Sequence, residues 1–215
     1  MEPKKISKSV LKRLPGYLSY LKSMPDNSPP HISATALANA LGMGEVQVRK
    51  DLATVSDGGR PKIGYLRESL IEDIEQFLGY DNTTDAVLIG AGKLGQALMG
   101  YSGFEDYGLN ILAAFDAHPK MDQTDAGTPV YNISKLPQFC KANKVLMGII
   151  TVPAEHAQEV ADQLIAGGIK AIWNFAPVHL DVPSNILVQN ENMATSLAVL
   201  SVHLQAQIKE EKEKK

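Results

Sequence analysis

The chain has 215 residues, 44% of them hydrophobic and 21% charged, enough apolar content for one or two cores of ordinary size. Its net charge of −3 is unevenly spread: residues 1–70 carry 11 Lys and Arg against 6 Asp and Glu, and the remainder carries 10 against 18. A single cysteine excludes an intramolecular disulfide, and no apolar run approaches the ~20 residues that span a bilayer, so a protein of a reducing cytoplasm, with no membrane partner, is expected.

Met1 to Lys5 lead into an amphipathic segment rather than a signal peptide. Val10, Leu14, Leu18 and Leu21 recur at helical spacing with Lys8, Lys12 and Arg13 off that face, and Pro25 to Pro30 then breaks the chain. Ser33 is placed to cap a helix carrying Leu37 and Leu41. Gly42-Met43-Gly44 makes a tight turn, and a second helix runs over about 45–55. Two short helices joined by a glycine-containing turn form the helix-turn-helix pattern. Residues 57–62 are turn-rich and residues 63–66 read as a returning strand, which leaves room for a small β-hairpin, or wing. A helix over about 67–78 closes at Gly79, and residues 80–84 read as a linker.

From Asp85 strands and helices alternate. Residues 86–89, 109–115, 145–152, 171–173 and 186–188 are the expected strands, and 154–166 is the clearest intervening helix. That alternation predicts a parallel, doubly wound sheet. A last helix over about 192–209 carries Met193, Leu197, Leu200, Leu204 and Ile208, which pack either on their own domain or on a partner. Residues 209–215 read as a solvated end. The expected fold class is therefore α/β: a winged helix-turn-helix domain over 1–80, a Rossmann-like sheet over 85–190 and a C-terminal helix over 191–215.

The chemistry-bearing motif is Gly90-Ala91-Gly92-Lys93-Leu94-Gly95, which follows an expected strand and opens a helix. The first glycine permits the turn, the second lets backbone approach a pyrophosphate and the third permits close helix–strand packing. The free N–H groups of the helix start supply the anion site. Asp116 ends the next strand, 21 residues after Gly95, where a carboxylate accepts hydrogen bonds from ribose hydroxyls and repels a 2′-phosphate. NAD(H) is thus expected over NADP(H). Lys93 either reaches a phosphate or points to solvent. About 130 residues follow Asp85, which leaves little room for a substrate domain, and the five histidines show no metal-ligand spacing. Glu155-His156 reads as a solvent-facing helix start rather than a catalytic pair. The cofactor is expected to be sensed rather than turned over, so the chain is read as no enzyme; the alternative is a small NAD-dependent oxidoreductase with an accessory basic domain.

On the helix over 45–55, Val48, Leu52 and Val55 make one core face, with Lys50 pointing away from it and Gln47 and Arg49 on its flanks. Those side chains suit base edges in a major groove, and Arg60 and Lys62 near the wing tip suit phosphates or a minor groove. A basic helical domain that binds protein is the alternative reading of this region.

Arg13-Leu-Pro-x-Tyr17-Leu, Gln47-Val-Arg49-Lys50-Asp51-Leu52 and Gly64-Tyr65 resemble the winged helix of the Rex redox-sensing transcriptional repressors. The glycine loop, Ala114-Phe115-Asp116, Val152-Pro153-Ala154 and Asn174-Phe175-Ala176-Pro177 resemble the Rossmann domain of the same family. The resemblance implies a homodimer that binds an inverted-repeat operator in double-stranded DNA and releases it when NADH rises relative to NAD+. It also implies a C-terminal helix exchanged between subunits. It places Thr151, Val152, Pro153 and Phe175 near the nicotinamide end, and Tyr101 and Phe104 near the switch. The chain departs from the family pattern at Lys93, usually Asn, in a wing without the usual phenylalanines, and at Asn192, where the family carries an acid.

Overall fold

The computed structural model describes residues 7–213, so the N-terminal Met1–Lys5 reading and the last two residues of the expected solvated tail lie outside them. The chain divides after Asn82 into two compact units.

In the first unit, Ser7 caps α1 (Lys8–Ser23) by accepting from the Val10 amide. Leu14, Tyr17, Leu18 and Leu21 form its buried face. Ser33 caps α2 (Ala34–Leu41) through the Ala36 amide at 3.0 Å, and Gly42 ends the helix in the left-handed conformation. α3 (Glu45–Val55) buries Val48 and Leu52, the expected core positions, together with Asp51. α4 (Arg67–Leu78) ends at the left-handed Gly79. These helices close on one apolar core.

The returning strand differs from expectation. Only Tyr65–Leu66 (β2) is extended, and it pairs antiparallel with His31–Ile32 (β1), not with the turn before it. The wing is a single turn bridged between Arg60 and Gly64. Pro61 lacks an N–H to donate and Lys62 adopts a φ of 65°, so this segment cannot continue a ladder. Gly64 is required where it stands: its φ is 90°, and a Cβ there would strike the Ile32 carbonyl.

The second unit is a six-stranded parallel sheet of β3 (Thr84–Ile89), β4 (Leu109–Asp116), β5 (Val130–Asn132), β6 (Met147–Ile150), β7 (Ala171–Asn174) and β8 (Leu187–Asn190). The order across it is β5-β4-β3-β6-β7-β8, so the connections reverse direction between β3 and β6. β3 is buried on both faces. Val87 and Ile89 point into a core with α6 (Leu136–Asn143) and α7 (Ala154–Ala166), while Ala86 and Leu88 point into a second core on the opposite face. α5 (Lys93–Met99) and a 3-10 helix (Ser102–Tyr107) connect β3 to β4. α8 (Met193–Glu213) closes the described chain, and no helix among the described residues is long and apolar enough to cross a membrane.

Candidate functional site

The parallel sheet presents its site where the strand order reverses, at the carboxyl ends of β3, β4 and β6. The glycine loop, between β3 and α5, is held from both sides by the neighbouring strands β4 and β6. The Gly90 amide donates to the Phe115 carbonyl at 2.8 Å, and the Thr151 hydroxyl donates to the carbonyls of Ile89 at 3.0 Å and Gly90 at 2.8 Å. Gly90 has a φ of 102°. A Cβ on Gly95 would run into the Gly90 carbonyl, so only glycine lets α5 start this close to the strand. Gly92 faces open space.

Asp116 sits at the end of β4 and braces this loop. One carboxylate oxygen accepts from the Ala91 amide and the other from the His118 amide, both at 2.9 Å. Gly90, Gly92, Asp116, Thr151, Val152 and Pro153 line one cavity of about 400 Å³. His118, His156 and Glu159 line it as well. His118 could have been sought two residues beyond the spaced acid, but Glu159, on the first turns of α7, offered no signal in the sequence. Lys93 is exposed in the first turn of α5, beside this cavity's glycine wall but not lining it. Ala91 and Leu94 are half-buried on the loop and the helix start.

Phe175, Tyr101 and Phe104 do not line that cavity. With Trp173 they form a chain of aromatic rings, with centroid separations of 5.0 Å for Tyr101–Phe104, 5.7 Å for Phe104–Trp173 and 4.8 Å for Trp173–Phe175. Tyr101 and Phe104 border a second cavity of about 450 Å³ along β4. The Trp173 indole donates to the Glu191 carboxylate at 3.0 Å, just ahead of α8. The Asn174-Phe175-Ala176-Pro177 motif has a local cause: the buried Asn174 side chain donates to the carbonyls of Ala176 and Val178 and accepts from the Ala176 amide. It thereby fixes the turn that follows β7. Asn192 serves as a helix cap, accepting from the Thr195 amide at 3.2 Å.

α8 leaves Leu197, Leu200 and Leu204 of the expected stripe between 51% and 64% exposed, so these three do not pack on their own domain; Ile208 is half-buried, and the Met193 side chain lies outside what is described. Cys140 is fully buried on α6 and its thiol is pushed up to about 11 by burial, which makes it a core filler and not a reactive thiol. No cluster that could hold a metal occurs among the described residues.

In the first unit, α3 carries Gln47, Arg49 and Lys50 on its exposed side, and Arg60 and Lys62 are exposed on the wing turn. Arg49 pairs with Glu45 one helical turn earlier. Behind this surface lies a charged group. Arg13 of α1 forks onto Asp51, with Nε–Oδ2 at 2.7 Å and Nη2–Oδ1 at 2.9 Å, and the Tyr17 hydroxyl donates to the same carboxylate at 2.8 Å. Burial alone would raise the Asp51 pKa, but the bonds from Arg13 and Tyr17 prevail and hold the carboxyl below its usual range. Burial also pushes Tyr17 up to about 12.

Known proteins match both units. A family model described as a CoA binding domain covers residues 81–178, and one described as a putative DNA-binding protein N-terminus covers 5–53. A redox-sensing transcriptional repressor Rex of Porphyromonas gingivalis is 41% identical over 91% of this chain and 90% of its own. The chain belongs to the Rex family of redox-sensing transcriptional repressors. Among solved structures, the Rex-family repressor RSP in complex with β-NAD+ and operator DNA matches at a TM-score of 0.87 and 34% identity, covering 99% of this chain and 98% of that one. RSP in complex with β-NADH matches at 0.86 and 34%, covering 98% and 99%. Rex proteins are regulators, and the oxidoreductase alternative is set aside on that membership.

Proposed function

We propose that this Rex repressor acts in the cytoplasm as a homodimer. The first unit of each subunit binds one half of an inverted-repeat operator, and the dimer releases the DNA when NADH occupies the second unit. The observation that carries this reading is the presence in one chain of two prepared surfaces: a glycine loop braced by Asp116 at a cavity, and a helix-turn-helix with three exposed polar side chains on its second helix.

In this reading the helix start at Gly92-Lys93 takes the pyrophosphate, with Gly90 and Gly95 setting the turn and Ala91 and Leu94 lining it. Asp116 takes the ribose hydroxyls. Thr151, Val152 and Pro153 wall the dinucleotide, and Phe175 with Tyr101 and Phe104 receives its nicotinamide end. Gln47, Arg49 and Lys50 enter the major groove, while Arg60 and Lys62 follow the backbone. The exposed apolar residues of α8 supply the subunit contact. The nucleotide shifts DNA affinity only as far as it binds the two arrangements of the dimer differently.

An operator selection with the full chain, with and without NADH, tests the reading. A palindromic site recovered without NADH and lost with it is expected. Recovery of no sequence at all would overturn it.

A further inference from the structure

This inference rests on the DNA-binding reading of α3 and sharpens it at one side chain. Gln47 lies in the first turn of α3, the second helix of the helix-turn-helix, where N-terminal residues meet base edges. Its side chain is exposed, yet it is not free to turn. N–H groups of Arg13 face its amide, so the carbonyl belongs on the α1 side, where it accepts from Arg13 Nη1 at 2.9 Å and lies 3.0 Å from Nε, whose one hydrogen goes to Asp51. Arg13 cannot swing away, because its Nε and Nη2 are forked onto Asp51, which is 3% exposed and held in turn by the Tyr17 hydroxyl.

A glutamine amide offers one carbonyl oxygen with two lone pairs and one NH2 group with two hydrogens. A free glutamine reads adenine with both ends: its N–H meets N7 and its carbonyl meets the N6 amino group. Arg13 Nη1 holds the carbonyl toward α1 here, so the outward face of Gln47 presents the hydrogens of its NH2 group. Guanine presents two acceptors, N7 and O6, and thymine presents O4, whereas adenine sets one acceptor, N7, beside an amino group that needs an acceptor, and cytosine presents an amino group alone.

We propose that Arg13 makes Gln47 a donor-only reader, favouring a guanine or thymine edge over adenine at its position in the half-site. Arg13 is the positioning residue and Gln47 the reading one. The buried Asp51 and Tyr17 keep the guanidinium in register.

The test compares base preference, not affinity alone, by selecting randomised half-sites with the full-length wild type, Gln47→Lys, Gln47→Met and Arg13→Lys, each first checked for an unchanged melting transition. Gln47→Lys, itself donor-only, keeps the wild-type base at every position. Gln47→Met loses the preference at one position and about three- to tenfold in affinity for the wild-type site. Arg13→Lys still pairs with Asp51 but cannot fork, so the Gln47 carbonyl is released and adenine is admitted at that position.

The proposal is overturned if Gln47→Lys replaces a selected adenine by guanine, the signature of an amide that had used both ends. It is also overturned if Gln47→Met weakens all sequences evenly, as a phosphate contact would, or if Arg13→Lys leaves the preference untouched. A wild-type chain that selects no sequence overturns the operator-binding reading together with this one, which separates the two failures.

Discussion

The unit ending at Asn82 presents its candidate surface through side chains, while the unit beginning at Thr83 presents its own mainly through backbone. On α3 the exposed groups are an amide, a guanidinium and an ammonium, and a half-buried Arg13 paired with the buried Asp51 and Tyr17 holds the helix that bears them. At the glycine loop the groups offered are N–H donors, and what matters is the absence of side chains at Gly90, Gly92 and Gly95. Asp51 and Asp116 have parallel roles. Each is a carboxylate that braces its own fold, the first through a neighbouring helix and the second through the loop it faces. A side-chain surface can change its specificity by one substitution. A backbone surface tolerates change only where no Cβ is in the way.

The sharpest way to break this comparison is Asp51→Ala. It leaves the Arg13 guanidinium, with 21% of its side chain exposed, without a counter-charge, and is expected to destabilise the first unit by about 3 kcal/mol. Urea unfolding followed by tyrosine fluorescence checks it, and a shift below ~1 kcal/mol would make the charged group dispensable. Gly95→Ala is next, costing about 2 kcal/mol by forcing α5 off the strand and weakening NADH binding more than tenfold. Calorimetric titration with NADH reads that effect.

On the proposed reading, Asp116→Ala removes both a ribose acceptor and the brace on Ala91. It is expected to weaken NADH binding about tenfold and to raise the NADH needed for DNA release in proportion. An unchanged fluorescence titration would take Asp116 out of the site. Lys50→Ala and Arg49→Ala should each weaken specific DNA binding several-fold and leave NADH affinity alone, the Arg49 effect being smaller because part of its charge is already answered by Glu45. An equal fall in NADH affinity would undo the separation of the two surfaces.

The smallest effect is one of pH. The Asp51 carboxyl titrates lower in the folded chain than in the unfolded one, so its contribution is complete above about pH 4 and fades as pH falls through the folded value. Comparing acid unfolding of the wild type with Asp51→Asn isolates it: the variant's stability should vary less with pH in that range.

Much of this was legible in the sequence because the signals were local. Ser33, Gly42 and Gly79 cap the helices as their residue types suggest, and Val48 and Leu52 lie on the core face their spacing indicates. β5 was not anticipated, since three residues at a sheet edge carry no periodicity, and the wing was expected as a hairpin although Pro61 forbids the ladder. The Arg13–Asp51 pair joins residues 38 positions apart, and nothing in either segment alone foretells it. Asn174, read as part of a motif, has a structural office in the turn after β7 that its neighbours in sequence do not reveal.

The central claim is that the backbone surface controls the side-chain surface. Its most direct test is the fluorescence anisotropy of a labelled operator bound by the full chain at fixed salt, titrated in parallel with NADH and NAD+. The account predicts release by NADH at concentrations where NAD+ leaves the complex intact. Identical curves for the two nucleotides, or no release by either, would contradict it.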